Sequence, residues 1–530
     1  MIILNKIKKY QNYLFIIFFL FIFINSLNLK LSYIDKIYTE YDDVGVISLY
    51  KGSIGDKEIK ILDYSFNLKE KTIDKLNNNF FYPLYIATGW TYAPGQYLLV
   101  PFLNLEEKKY NEKLISVRLI SSIASILNSL FIFYICINFF GISKWLSLLI
   151  FSIFSLSFNS NIYSNHMSPY SIYSLCSTIG VFICFQALRT EKYFKYYSLN
   201  SILIYFSYTN ILFYLAFIFI ELRKKRLKKT LLKLITNKKK YLLINLLLLT
   251  PIIILILFKL IVIKAGDRGV AIENDTNFFD AIKFIIYQLN LSINSFQSGF
   301  VPIYFEKINI YFIFGIILIG FLYSHKRSDF KNKIIIEILF LYFLIWIVFF
   351  IFKKLPLDQT RHSLIFFSIY LFGLGIVLKE IKYINIISLL LIILLTIPAI
   401  KKNHELLNSK KSNFNFSLIS ETNIKNIYSF SDTLAPFLFY DEGYEVFNLD
   451  LQSYRENFKK NVLHDELLLV SQNQSLKERS SYDLFFKNFV NLYEVTVLKE
   501  LYSNTYMPYN NYKDHSTENG FYLYKLKIKN

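Results

Sequence analysis

The chain has 530 residues, of which 54% are hydrophobic and 18% aromatic, and its formal net charge is +20. This apolar composition excludes an ordinary water-soluble protein and predicts a membrane-embedded one. Residues 400–530 hold 16 basic and 16 acidic residues, so the whole positive excess lies in residues 1–399. There it follows the loops between apolar runs, which indicates membrane topology and argues against nucleic-acid binding. The three cysteines fall inside apolar runs without metal-ligand or redox spacing.

Apolar runs of roughly 17–25 residues predict membrane-spanning helices. They lie at about 13–29, 114–138, 144–162, 169–188, 241–263, 309–323, 334–352, 362–378 and 384–399. The first run lacks a small-x-small cleavage site and predicts an uncleaved anchor. A further run, 196–221, has basic residues on both flanks. Because the positive-inside rule places both flanks on the cytoplasmic side, this run predicts a hairpin of short helices that turns at Ser207–Asn210.

With this hairpin the topology alternates consistently over about eleven helical elements, from a cytoplasmic N-terminus to an external C-terminus. The basic segments 189–195, 222–240, 325–333 and 379–382 are expected inside. The loops 30–113, 160–168, 264–308 and 353–361 are expected outside, together with the tail. The prediction is an α-helical polytopic membrane domain over residues 1–399, whose first external loop is 30–113.

Residues 400–530 predict a small external α/β domain. Strands are expected at 424–430, 465–472, 493–501 and 520–529, and helices at 431–440 and 475–489. The segment has no glycine-rich phosphate loop, so nothing in it argues for nucleotide binding.

Polar residues of the outer segments are candidates for a functional site. Asp42 and Asp43 lie about a dozen residues beyond the first span, where the alternative is ordinary loop solvation. Arg118 lies about one turn into the second span, where an ionisable group is costly; it is either functional or snorkels to the headgroups. His166 lies in a short external turn, where a lone histidine can also be structural. Basic residues in the predicted external loop 353–361 run against the positive-inside trend, which an anion held at the outer surface would explain: Lys353, Lys354 and Arg361.

The order of these motifs resembles the C-type membrane glycosyltransferases (GT-C) that use polyprenyl-phosphate sugars. The branch in question contains the protein O-mannosyltransferases and aminoarabinose transferases. A first span, an acidic pair, an aromatic–proline stretch and "RLISS" in the second span follow in the family's order. In that branch the leading acid of the pair is catalytic, and Asp42 takes its place with Asp43 beside it. The stretch "YAPGQYLL" resembles the family's His-Pro-Pro-Leu-Tyr motif, with Tyr92 in place of the histidine.

Two further segments carry the resemblance. "YSNHMSPYSIYSL" (163–175) is similar to the family's Tyr-Ser-Gln-Glu-Ala-Arg-Pro-Tyr-Ser-Leu; Tyr170 matches, whereas His166 replaces the glutamate. "TRHSLIFF" resembles the Arg-Tyr that opens a late span, so Arg361 carries over and His362 replaces the tyrosine. The family's second acid and one of its basic contacts are therefore missing here.

The resemblance implies an inverting glycosyltransferase that moves a sugar from a polyprenyl-phosphate carrier to an acceptor hydroxyl at the outer face. Asp42 and Asp43 would be catalytic. Arg361, with Arg118, Lys353 or Lys354, would bind the donor phosphate. The acceptor could be lipid, glycan or protein, and the expected location is a bacterial cytoplasmic (inner) membrane with a periplasmic site. No cofactor is implied with certainty; a divalent cation is possible, although the sequence contains no ligand cluster. The alternatives are a lipid-linked sugar or polysaccharide transporter or flippase, and a polysaccharide polymerase or ligase.

Overall fold

The computed structural model describes residues 2–36, 93, 95, 99–103, 108, 110–167, 169–190, 192–223, 239–261, 279–280, 283, 326, 330–351, 364–409, 422–424, 426–430, 446–449, 455, 465–472, 475–503 and 519–529. These residues divide into two compact units. The first holds the described residues of 1–31, 80–99 and 119–404, and the second those of 32–79, 100–118 and 405–530. The predicted division into residues 1–399 and 400–530 stays a prediction.

The described residues form thirteen α-helices, which begin and end as follows. They are α1 (Ile2–Leu31), α2 (Tyr110–Asn138), α3 (Lys144–Ser155), α4 (Phe158–Ser164), α5 (Pro169–Thr190), α6 (Tyr193–Phe206), α7 (Ile211–Arg223), α8 (Lys239–Ile261), α9 (Phe330–Ile351), α10 (Leu364–Leu378), α11 (Ile384–Ser409), α12 (Leu476–Tyr482) and α13 (Leu484–Leu492).

Most predicted spans coincide with helices. In the described part of the chain, α1, α2, α5 and α11 are long and apolar enough to cross a membrane, and α3 with α4 would make a fifth span. Helices α8, α9 and α10 cover the predicted runs 241–263, 334–352 and 362–378 to within a few residues. The run 309–323 lies outside the described residues. The chain is thus a mostly helical, polytopic membrane protein.

The predicted span over 144–162 is not one straight helix, because this segment bends by 53° between α3 and α4. Leu156 is the C-cap of α3, and Ser157 is the N-cap of α4, since its hydroxyl accepts a hydrogen bond from the Ser160 backbone N–H. A serine at this place offers the backbone a cap instead of continued helix. Burial continues across the break, because every residue of α4 and most residues of α3 are buried.

The predicted hairpin over 196–221 is confirmed. Helix α6 ends at Phe206, a short 3-10 turn spans Tyr208–Asn210, and α7 begins at Ile211. The rings of Tyr197 and Phe217 lie 4.6 Å apart, which a straight helix of this length could not allow. Buried amides close the turn, since the Asn200 Nδ2 donates to the Asn210 carbonyl oxygen at 3.1 Å.

The last long helix exceeds its prediction. Helix α11 continues to Ser409, ten residues beyond the predicted end of the span at 399. The extension is polar in sequence, "KKNHELLNS", yet Asn403 and Leu407 within it are fully buried. Tertiary packing therefore stabilises as helix a polar segment that hydropathy alone assigns to the C-terminal tail.

The C-terminal sheet has five strands in the order β2-β1-β3-β5-β4. The strands are β1 (Ile427–Phe430), β2 (Val446–Asn448), β3 (Glu466–Gln472), β4 (Tyr493–Ser503) and β5 (Asn519–Ile528). Strand β1 pairs in parallel with β2 and β3, whereas β5 pairs antiparallel with both β3 and β4. The four predicted strands are confirmed, but β2 was missed because three residues carry no detectable alternation.

The helix predicted over 475–489 is two helices, α12 and α13, and the helix predicted at 431–440 lies outside the described residues. Asp483 separates the two helices: it caps α13 by accepting from the Phe485 N–H at 3.0 Å. The same carboxylate pairs with Arg455 at 2.9 Å and with Arg479 at 3.3 Å. Helix α13 then packs Phe486 and Phe489 into the apolar core of the sheet.

Candidate functional site

Arg118, on the first turns of α2, is fully buried and does not snorkel to a surface. Its Nη1 donates to the Ile34 carbonyl oxygen at 2.8 Å. Ile34 follows α1 and lies eight residues before Asp42. A guanidinium on a backbone carbonyl fixes the position of that segment with a charge-assisted hydrogen bond. The structure therefore gives Arg118 a definite contact, namely the chain that leads from α1 toward the acidic pair.

Helix ends of the first unit meet in a buried polar network. In the last turn of α1, where a helix exposes carbonyl acceptors, side chains of other elements lie at the Leu29 and Lys30 carbonyl oxygens. The Asn165 Nδ2, just after α4, donates to the Leu29 carbonyl at 3.1 Å. On α2, the Ser122 Oγ lies 3.1 Å from the Lys30 carbonyl oxygen and 2.7 Å from that of Ser164. The ends of α1 and α4 are thus joined to one another and to α2.

The predicted substrate-contact segment after α4 is entirely inside the first unit. His166 and Tyr170 are buried, so neither lies in an exposed loop. Tyr170 packs against Tyr163 at 6.4 Å and edge-on to Tyr173 at 5.9 Å between ring centroids. The segment is therefore a buried turn between α4 and α5, whose tyrosine rings pack together, and the predicted external loop 160–168 consists mainly of α4 and this turn.

Two described residues of the aromatic–proline stretch, Ala93 and Gly95, pack against helices of the first unit. The Ala93 backbone N–H donates to the Tyr173 hydroxyl at 2.7 Å, and Ala93 is fully buried. Gly95 is packed so closely that an added Cβ would lie 2.5 Å from Phe206 and 2.8 Å from the Tyr205 carbonyl oxygen. Ala93 is thus buried against α5, and Gly95 is buried against α6. Two segments that carry the family resemblance are thus in contact.

Other predicted site residues lie outside the described part of the chain, and their roles stay predictions. They are Asp42, Asp43, Tyr92, Lys353, Lys354, Arg361 and His362.

No three His, Cys, Asp or Glu side chains among the described residues come together as metal ligands. The described residues therefore offer no set that fits the divalent cation considered from the sequence, and no chemical step is assigned to a metal. The three cysteines are buried within the apolar helices and form no disulfide bond.

This architecture matches a solved glycosyltransferase. The crystal structure of ArnT from Cupriavidus metallidurans bound to undecaprenyl phosphate aligns with 97% of this chain and 98% of its own, with a TM-score of 0.50 and 9% sequence identity. The chain has a GT-C fold. The Archaeoglobus fulgidus oligosaccharyltransferase, crystallised with Zn and sulfate, aligns with 79% of this chain and 63% of its own, at a TM-score of 0.40 and 11% identity. No protein-family model matches the chain, and no curated protein is significantly similar in sequence.

Within the GT-C fold, sequence reasoning missed Lys30, Asn161 and Asn403. Lys30 was placed at the start of the external loop, but it is the penultimate residue of α1 and is fully buried. Its position directly after an apolar run was the available signal, and a surface anchor explains such a lysine equally well. Asn161 and Asn403 gave no signal, because 242 residues separate two amides that are 3.0 Å apart.

Proposed function

We propose that this protein is an inverting glycosyltransferase that moves a sugar from a polyprenyl-phosphate carrier to an acceptor hydroxyl at the outer face of the membrane. The observation that carries the proposal is the GT-C fold, shared along nearly the whole chain with an ArnT that binds undecaprenyl phosphate. The order of acidic pair, aromatic–proline stretch and late arginine supports it independently.

In the proposed reaction, Asp42 is the general base. Its carboxylate accepts the proton of the acceptor hydroxyl while that oxygen attacks the anomeric carbon. The bond between the anomeric carbon and the phosphate oxygen breaks, and polyprenyl phosphate leaves with the bonding electrons. One displacement inverts the anomeric configuration, and no covalent sugar–enzyme intermediate forms. Asp43 orients the segment or contacts the acceptor. A positioned base contributes typically about 10²–10⁴-fold to such a transfer.

The leaving phosphate requires fixed positive charge, which preorganised cations in a water-poor cleft provide effectively. Arg361 is the proposed principal ligand, because a planar guanidinium binds phosphate oxygens in a bidentate manner. Lys353 and Lys354 share its predicted loop. Arg118 is proposed as a further phosphate contact, although its Nη1 is engaged with the Ile34 carbonyl.

Substrate recognition is assigned to His166 and Tyr170, and, from the motifs of the sequence, to Tyr92 and His362. The hydrogen bond from Ala93 to Tyr173 supports the assignment, because it joins the two motifs to which these tyrosines belong. A buried aromatic and imidazole surface suits a sugar, which presents apolar C–H faces and hydroxyl groups. The acceptor class stays open among lipid, glycan and protein, and the location is proposed as the bacterial cytoplasmic membrane with a periplasmic site.

The alternatives are a lipid-linked sugar flippase and a polysaccharide polymerase or ligase. A transporter is expected to show internal repeats and polar residues near the membrane midplane. The sequence shows no repeat. Production of free polyprenyl phosphate from a lipid-linked sugar in the presence of an acceptor separates transfer from transport.

Asp42→Asn tests the proposed base. The change is nearly isosteric, so the protein should insert and fold, while transfer from a polyprenyl-phosphate sugar in proteoliposomes should fall by at least about 10²-fold. Asp35→Asn is the matched control, because Asp35 is an exposed acid in the same segment; it should keep wild-type transfer. Full activity of Asp42→Asn with loss in Asp43→Asn would exchange the two roles. Activity in both would remove the base from the mechanism.

Arg361→Lys and Arg361→Ala test the phosphate contact. Lysine keeps the charge but loses the bidentate geometry, so the donor KM should rise with lysine and rise further with alanine. Wild-type donor kinetics in Arg361→Ala would show that another cation holds the phosphate.

A further inference from the structure

The break between α3 and α4 leaves backbone acceptors inside a membrane domain. Helix α3 ends at Ser155 and α4 begins at Phe158, so the Ser155 and Leu156 carbonyls lack a continuing helix. Broken helices at membrane depth are tolerated only where other groups satisfy the freed backbone. In this protein, side chains from two other helices do so.

Lys30 of α1 supplies the first donor. Its Nζ donates to the Ser155 carbonyl oxygen at 3.0 Å and to the Asn161 Oδ1 at 2.7 Å, and the residue is fully buried. A cation at the C-terminus of a helix is favoured by the helix dipole. In the described part of the chain no carboxylate pairs with Lys30, so neutral oxygens alone compensate this buried amine. Such a costly arrangement requires a precise geometry.

Asn403 of α11 supplies the second donor. Its Nδ2 donates to the Leu156 carbonyl oxygen at 2.6 Å and to the Ala399 carbonyl oxygen at 2.9 Å. Its Oδ1 accepts from the Asn161 Nδ2 at 3.0 Å. The chain Lys30–Asn161–Asn403 therefore connects α1, α4 and α11 through consecutive hydrogen bonds around the break, and each amide uses both its donor and its acceptor.

The short helix held by this chain leads to the site. Asn165 and Ser164, at the far end of α4, contact the end of α1 and Ser122 of α2. Each of these elements continues along the chain into a predicted site residue. Asp42 follows α1, Arg118 lies one turn before Ser122, and His166 follows Asn165. A change in the angle of the break would shift the start of all three segments.

We propose that Lys30 and Asn403 are positioning residues for the transfer reaction, which fix the α3–α4 break and thereby the ends of α1 and α4 that carry the site segments. The inference rests on the proposed function for its catalytic consequence. We expect Lys30 and Asn403 to act through protein contacts, without touching the substrate. Their loss should therefore lower kcat by about 10- to 100-fold, which is the scale expected for small misplacements of reacting groups. The donor KM should stay near the wild-type value.

The experiment compares Lys30→Met and Asn403→Leu with a matched control, Asn245→Leu. Methionine and leucine have volumes similar to those of lysine and asparagine, but they cannot donate a hydrogen bond to the backbone carbonyls at the break. Asn245 is a half-buried amide of α8 that contacts the hairpin: it donates to Ser198 at 2.7 Å and accepts from Ser201 at 2.8 Å, away from the break. Full-length proteins in nanodiscs are measured by hydrogen exchange of peptides 157–167 and 196–221, and by kcat and KM for transfer. Asn161→Ala provides a third variant if either substitution at the ends prevents folding.

We expect faster exchange in 157–167 and lower kcat in Lys30→Met and Asn403→Leu. Asn245→Leu should accelerate exchange in 196–221 and keep wild-type kcat. Unchanged exchange of 157–167 would show that the network does not hold the break. Faster exchange together with a wild-type kcat would show that the break does not position the site. Each of these two results overturns the inference, whereas the proposed function still stands as long as the wild-type protein transfers sugar. If the wild-type protein transfers sugar from none of the polyprenyl-phosphate donors tested, the proposed function is refuted, and the positioning role is refuted with it.

Discussion

Replacing Arg118 with methionine should release the segment that follows α1. Methionine occupies similar volume, but the buried Ile34 carbonyl then loses the donor that lies 2.8 Å away. A hydrogen bond from a charged group contributes about 1.5–3 kcal/mol, which corresponds to roughly a 10- to 150-fold increase in local opening. The opening is expected in residues 32–36, which lie between α1 and the acidic pair.

Hydrogen exchange of the peptide that covers residues 32–36, in nanodiscs, measures this opening. Transfer kinetics on the same protein separate the two roles of Arg118. A positioning contact lowers kcat, whereas a phosphate contact raises the donor KM. Arg189→Met is the control, because Arg189 is an exposed arginine at the end of α5. Wild-type exchange in Arg118→Met would refute the reasoning that the guanidinium holds this segment.

Further predictions concern topology, packing and the second unit. A cysteine introduced as Asp450→Cys should react with an impermeant reagent from outside, and Thr230→Cys should not; the three native cysteines are buried and give little background. The reverse pattern would invert the proposed orientation. Gly95→Ala should lower the thermal midpoint, because its Cβ would lie 2.8 Å from a backbone oxygen and overpacking costs about 1–3 kcal/mol; an unchanged midpoint would contradict this packing. Asp483→Ala should accelerate exchange in α13 by about 10- to 100-fold through loss of the cap and two ion pairs, whereas the cap variant Ser475→Ala should affect only α12.

Much of the architecture could be predicted because it rests on local information. Membrane-spanning helices need continuous apolar runs, which can be seen in the sequence. Basic loops are kept on the cytoplasmic side, so the basic residues on both flanks of 196–221 predicted the hairpin that turns at Ser207–Asn210. Strands β1, β3, β4 and β5 followed from short apolar runs of strand length. The GT-C fold followed from the order of motifs along the chain, even though no single motif was specific.

The site was less predictable, since its parts are defined by distant contacts. Arg118 was a candidate because an ionisable side chain is costly to place within a membrane span. Only its burial against Ile34 distinguishes a fixed contact from a side chain that snorkels to the headgroups. His166 was expected in a short external turn; it does lie in a turn, but its side chain is buried. The contact of Ala93 with Tyr173 joins two motifs that the sequence could only list in order.

The sequence by itself determined the class of the protein, the positions of most spans and the chemistry of the candidate residues, because hydropathy and charge act over one helix or one loop. Only the tertiary structure decided where helices break and which polar groups complete them. Lys30, Asn161 and Asn403 belong to three separate helices, and each is unremarkable within its own segment. Their burial is tolerable only together, since the donors of one helix satisfy the acceptors freed by the bend in another. Such reciprocal hydrogen bonding is a property of helices in contact, and no local pattern of residues contains it.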